Sequence, residues 1–226
     1  MDSDKQGITS AESATLDIPT LERLLAANPN SANAHYNLGL ALKRKGELDR
    51  ALEEFRHALR LKPGLAEARV NIGAILLEKG QYDDCIEQSL KALEFRPDLM
   101  EACIIIGNAF FQKACLEGQK GNQEQQRGNL EQAVHSFHKA LQLDEKSALV
   151  HLNLANAYLA LGNIEKSIEH NTKATELAPN LALAHNNLAV AHYHNGNMEQ
   201  ARLHAEEALR MGYPVHPEFL KTIDLT

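Results

Sequence analysis

Eleven histidines and three cysteines are the side chains of this 226-residue chain best able to hold a metal or act as a nucleophile. His135 and His138 stand three apart, and His185 lies one heptad before His192, with His194 close behind. On a helix such spacings bring imidazoles to one face, but a metal site also needs further ligands and partners that orient them. Cys85, Cys103 and Cys115 are an odd number at spacings of 18 and 12, with no CxxC pair. That usage fits a reducing cytosol better than a disulfide or zinc framework. There is no Gly-rich phosphate loop, GxSxG elbow, HExxH pair or calcium loop. The residues therefore predict no enzyme, no cofactor and no metal. Recurring asparagines remain: Asn37, Asn71, Asn153 and Asn187. An amide offers a donor and an acceptor together, so it can pair with both the C=O and the N–H of a peptide group.

Composition narrows the partner. The net charge of −7 argues against general nucleic-acid binding, which needs a basic surface to displace counterions. Residues are 44% hydrophobic but only 5% aromatic, with no Trp, so the core must come from Leu, Ile and Ala on closely stacked helices. The N-terminal MDSDKQGITSAESATLD carries early acids and no apolar leader. No apolar run reaches the roughly 18–20 residues of a membrane span. The expected setting is cytoplasmic, without membrane insertion.

The elements that must position the asparagines are repeated. NLGLALKRKGELDRALEEFRHALRLKP, NIGAILLEKGQYDDCIEQSLKALEFRP and NLANAYLALGNIEKSIEHNTKATELAP are variants of one segment. Pro29, Pro63 and Pro97 are spaced by 34 residues, and Pro179 follows after 82, twice 34 plus 14. This gives five units: 32–65, 66–99, 100–147 with a 14-residue insertion (Lys113 to Gln126), 148–181 and 182–215. Small residues recur at unit position 8 (Gly39, Gly73, Gly107, Ala155, Ala189), position 20 and position 27, where two helices must approach closely. Position 24, a large aromatic in Phe55 and Phe137, is Ser89, Asn171 and Ala205 elsewhere. Glycine at position 15 (Gly46, Gly80, Gly128, Gly162, Gly196) is expected to end each first helix. The insertion, holding Gly118 and Gly121, is expected to stop the helix partway and continue as a polar loop. Ile18 to Pro29 reads as a capping half-repeat helix within 16–31, residues 216–226 as a short C-terminal cap, and residues 1–15 as disordered.

The five units resemble tetratricopeptide repeats (TPRs) over 184 of the 226 residues. The resemblance implies an all-α fold, a right-handed α-solenoid of stacked antiparallel helix pairs whose concave face binds other polypeptides. In that family the face is lined by positions 2, 5, 6, 9, 12 and 13 of each first helix. Position 6 here holds Asn37, Asn71, Asn153 and Asn187, interrupted by Ile105, and resembles the asparagine ladder in the superhelical repeats of O-linked N-acetylglucosamine transferase. Neighbouring first helices lie on the order of 10 Å apart, about three residues of extended chain, so such a ladder would grip a peptide at regular intervals. The other expected groove residues are Lys43, Arg44, Val70, Leu77, Ile104, Asn108, Phe111, Leu152, Asn156, Asn186, Val190 and Tyr193. An apolar strip of this kind suits an amphipathic helix or hydrophobic peptide, while Lys43 and Arg44 would receive acidic groups. TPR domains that clamp a C-terminal carboxylate carry Lys at position 5 and Asn at position 9 of one unit, then Lys and Arg at those positions two units on. This chain has no Lys or Arg at either position, which argues that mode down. His35, His151 and His185 fall at position 4, a packing position. The function expected is a scaffold or adaptor holding a partner peptide or helix. Two alternatives remain open: a homo-oligomer whose groove takes the Ile18 to Ala27 helix of a neighbouring copy, or a detached targeting subunit of a transferase.

Overall fold

The computed structural model describes residues 16–225; the segment 1–15, expected to be disordered, lies outside them. Twelve α-helices and no strand occur among the described residues. They are α1 Ile18–Ala27, α2 Ala32–Arg44, α3 Leu48–Leu61, α4 Ala66–Glu78, α5 Tyr82–Phe95, α6 Met100–Gln119, α7 Gln123–Leu143, α8 Ala148–Ala160, α9 Ile164–Leu177, α10 Ala182–His194, α11 Met198–Arg210 and α12 Pro217–Thr222. From α2 to α11 they form consecutive antiparallel pairs, the architecture of an all-α TPR solenoid. The chain divides into two compact units, Met1–Ile105 and Ile106–Thr226. None of the helices is long and apolar enough to cross a membrane.

Glycine geometry sets the turn within each pair. Gly46, Gly80, Gly162 and Gly196 have φ of 72–82°, the left-handed region that glycine enters without steric penalty. Behind each, the next N–H reaches back five residues, as Glu47 does to the Leu42 carbonyl at 3.0 Å, satisfying an orphan acceptor at the helix end.

The third pair departs from expectation. Its left-handed glycine is Gly121 (φ 79°), whereas Gly128 lies inside α7 and terminates nothing. The insertion is not a loop. First helix α6 has 20 residues against 13 in α8, and second helix α7 has 21 against 14 in α9, so seven residues were added to each arm. Seven residues are nearly two helical turns, about 10 Å of rise, and they return each apolar stripe almost to its starting face. Gly118 lies within α6, where a Cβ would stand 2.7 Å from Gln126 Nε2, so the two added arms pack closely together. Continuing both helices keeps backbone N–H and C=O groups bonded; a 14-residue loop would leave them to solvent.

Positions 8 and 24 are complementary in four of the five pairs, the second having Gly73 against Ser89, both small. A Cβ on Gly39 or Gly107 would meet the rings of Phe55 or Phe137 at 2.7 and 2.5 Å. Where position 24 is Asn171 or Ala205, position 8 has grown to Ala155 or Ala189, and all four are fully buried. The first hairpin is covered by α1, whose Leu21 is buried, and the last by α12 and the Ile223 that follows it, which packs with Ala189, Ala201 and Ala205.

Candidate functional site

A polar pair locks the two helices of four hairpins at a constant separation of 19 residues. His35 Nδ1 lies 2.6 Å from Glu54 Oε2, Arg69 donates to Gln88 at 3.3 Å, and His151–His170 and His185–His204 face Nδ1 to Nδ1 at 2.9 and 3.2 Å. The position-4 side chain also reaches the carbonyl six residues earlier: Pro29 from His35, Pro63 from Arg69 and Glu145 from His151. A carbonyl only accepts, so His151 Nε2 carries the hydrogen, and its Nδ1 accepts from His170 Nδ1–H. These histidines hold helices together. Burial, reinforced by the facing imidazoles, pushes His170 and His204 down to about 4, and burial also lowers His138 and His192. Among the described residues no three His, Cys, Asp or Glu side chains are placed to hold a metal ion. Cys85 and Cys103 are buried and Cys115 is exposed; burial pushes the Cys85 thiol up to about 11, away from nucleophilic use.

In the N-terminal unit the Asn71 amide is engaged on both its oxygen and its nitrogen. Lys43 Nζ donates to Asn71 Oδ1 at 2.9 Å, and Asn71 Nδ2 donates to the Glu67 carbonyl at 2.9 Å and to the Tyr36 hydroxyl at 3.4 Å. Burial and the Glu67 carboxylate hold Tyr36 in its neutral form. Asn37 is only 4% exposed, and its Nδ2 has no hydrogen-bond partner among the described residues. Val70 is equally buried, in a cluster with Ala66, Ala92 and Ala102, so it seals the packing between hairpins and lines no groove. Leu77 and Ile104 are half-buried, Lys43 likewise, and Arg44 is exposed.

The C-terminal unit arranges its amides as rungs between first helices. Asn153 Nδ2 on α8 donates to Asn108 Oδ1 on α6 at 3.1 Å, and Asn187 Nδ2 on α10 donates to Asn156 Oδ1 on α8 at 2.7 Å. Each rung thus joins position 6 of one unit to position 9 of the unit before. Asn186 extends the second rung, its Nδ2 lying 3.5 Å from Asn187 Oδ1. All five amides are half-buried and retain unused donors and lone pairs. Phe111 and Val190 are half-buried beside them. At the groove positions of α8, of α10 and of α6 beyond Ile105, no residue is Asp, Glu, Lys or Arg.

Two expected residues leave this set. Leu152 is buried with Ala174 and Ala184 between hairpins, and Tyr193 is capped by an edge-on Phe219 ring at 5.8 Å from α12. One apolar residue was missed: Leu149, at position 2 of α8, is 62% exposed. Its position in the repeat was the available signal. The 19-residue pairing was also legible, as His35/Glu54, Arg69/Gln88, His151/His170 and His185/His204.

Known proteins share this architecture. TPR repeat models match residues 121–162 and 155–196, a further tetratricopeptide repeat model matches 181–212, and the model of the middle TPR-like domain of cilia and flagella-associated protein 70 matches 20–126. No curated protein matches by sequence. Among solved structures, pilF of Pseudomonas aeruginosa is 20% identical with a TM-score of 0.71, covering 91% of this chain and 87% of its own. YrrB, described as a TPR protein with an unusual peptide-binding site, is 20% identical with a TM-score of 0.68, covering 92% and 100%. MamA of Desulfovibrio magneticus RS-1 is 19% identical with a TM-score of 0.69, covering 80% and 94%. At these identities the likeness is one of fold. With repeat models and repeat geometry in agreement from α1 to α11, the chain belongs to the tetratricopeptide-repeat family.

Proposed function

We propose that this chain is a non-catalytic interaction scaffold that holds an extended, uncharged segment of a partner protein against the first helices of its C-terminal unit. The carrying observation is the pair of asparagine rungs, Asn108–Asn153 and Asn156–Asn187, on a face without formal charge. Half-buried amides that already hold one another in place are preorganised, so little side-chain entropy is lost when they engage a peptide main chain. Main-chain pairing by amides tolerates varied sequence, and exposed Leu149 with half-buried Phe111 and Val190 supplies apolar surface for alternate side chains. The peptide-binding site attributed to YrrB supports the same class of ligand.

Self-docking of α1 in a neighbouring groove is disfavoured by its present packing. Leu21 is 1% exposed, and Glu22 pairs with Arg50 of α3 at 2.8 Å, so α1 would first have to leave its own chain.

The test is Asn153→Ala with Asn187→Ala. Partners recovered by affinity capture should bind the wild type at least tenfold more tightly than the variant, and cross-links should map to α8 and α10. Because water can replace a half-exposed amide partner, the melting temperature should barely move. Undiminished affinity, or cross-links confined to the second helices, would remove the proposal.

A further inference from the structure

A second surface lies on the N-terminal unit, where α3, α4 and α5 enclose an open recess of about 510 Å³. Its floor is apolar, made by half-buried Leu59 of α3 over Ile72 and Leu76 of α4, which are 3% and 5% exposed. On the α3 wall stand Arg56 and Arg60, one turn apart on the same helix face, and Asp84 of α5 stands opposite.

The two arginines are unusual within this chain. Arg23, Arg50, Arg69, Arg96, Arg127, Arg202 and Arg210 each have a hydrogen bond or an ion pair, and Arg44 is also engaged. Arg56 and Arg60 have no such partner among the described residues. Unpaired guanidiniums keep all their fork donors available for carboxylates.

The repeat supplies an internal control. In the C-terminal unit the positions matching Arg56, Leu76, Asp84 and Gln88 are His138, Tyr158, Lys166 and His170. There they touch one another: His138 Nε2 meets the Tyr158 hydroxyl at 2.9 Å, the Tyr158 and His170 rings stack at 5.5 Å, and Lys166 lies 5.0 Å over the Tyr158 ring. One seam is closed by its own side chains, whereas the other is left open and cationic on one wall.

We infer that the α3–α5 recess is a docking site for an acidic protein segment that places an apolar side chain on Leu59, above Ile72 and Leu76, and its carboxylates on Arg56 and Arg60. Asp84 orients the occupant, since it repels carboxylates from the α5 wall and leaves the α3 wall as their place. The site lies on other helices than the asparagine rungs and does not depend on them.

The probe is a ten-residue peptide, acetylated and amidated, with leucines at its centre and glutamates on either side. It is titrated into the full chain carrying 13C-labelled Ile and Leu methyls. Saturable shifts should appear at Leu59 and at Ile72 and Leu76 beneath it, weaken as salt rises, and be lost when every glutamate of the peptide is replaced by glutamine. R56Q/R60Q should bind at least tenfold more weakly with an unchanged melting temperature, because both side chains are at the surface. Asn153→Ala with Asn187→Ala should leave this binding intact, which separates it from the rung-bound segment. Equal binding by R56Q/R60Q, or shifts confined to α8 and α10, overturns the assignment. So does inorganic phosphate reproducing the same shifts with no gain from the leucines, which would make the arginines a small-anion site.

Discussion

Gly107→Ala and Gly128→Ala place the same substitution on the two arms of one hairpin, and they should move stability in opposite directions. Both sit inside helices, so each gains about 1 kcal/mol of helix propensity. A Cβ on Gly128 meets nothing within 4 Å, and that gain is the whole effect. A Cβ on Gly107 would stand 2.5, 2.7 and 2.9 Å from three ring atoms of Phe137, distances that real contacts do not sustain. Phe137 is 1% exposed and cannot swing away, so overpacking costs about 1–3 kcal/mol. Propensity cancels between the two variants, and the gap between them isolates the clash at about 1–3 kcal/mol. At about 2–4 °C per kcal/mol for a chain of this size, that is roughly 2–12 °C in melting temperature. Urea melts followed by circular dichroism check it, compared at matched slopes because repeat arrays can unfold in parts. If Gly128→Ala destabilises, Gly128 is the left-handed terminator and α7 begins there. If the gap vanishes, the Gly–Phe complementarity is not what sets the hairpin spacing. Phe137→Leu should rescue Gly107→Ala in a double-mutant cycle, as coupled neighbours require.

Acid should weaken the C-terminal unit through its imidazole pairs. His170 and His204 fall from 6.5 to about 4 on folding, so between those values the unfolded chain binds more protons, and stability drops as pH falls through that window. A variant with His170→Gln and His204→Gln should lose less melting temperature between pH 7 and pH 4.5 than the wild type; parallel losses would refute the linkage. Excising residues 114–127 joins Lys113 to Gly128 and leaves FFQKGNLEQ, the turn sequence of an ordinary repeat. That chain should fold with helicity reduced by about two turns per arm. A molten or aggregated product would mean that the added arms have a fold-specifying role.

The third hairpin shows where sequence reasoning reaches its limit. Gly121-Asn122 and Gly128-Asn129 are the same dipeptide, seven residues apart, and either can form the turn. Local chemistry does not choose between them. The choice falls to packing: only a break at Gly121 divides the insertion evenly, keeps both apolar stripes in phase and lets Gly118 approach Gln126. In the other hairpins a single glycine stood at the turn, and periodicity alone placed the helices. The same distinction governs the candidate site. Repeat position located the asparagines, but whether an amide faces a ligand or a neighbour depends on the residue that position 5, 9 or 12 of the adjacent unit presents. Tyr36 and Lys43 tie up Asn71, whereas Asn108 and Asn156 join Asn153 and Asn187 into rungs with capacity left over. Val70 and Leu152 illustrate the complementary error. Both occupy position 5 on helices that are apolar nearly all round, so no polar face showed which apolar residues the next hairpin would cover. A repeat thus fixes where its faces are, and the identity of facing pairs decides which of them remain open.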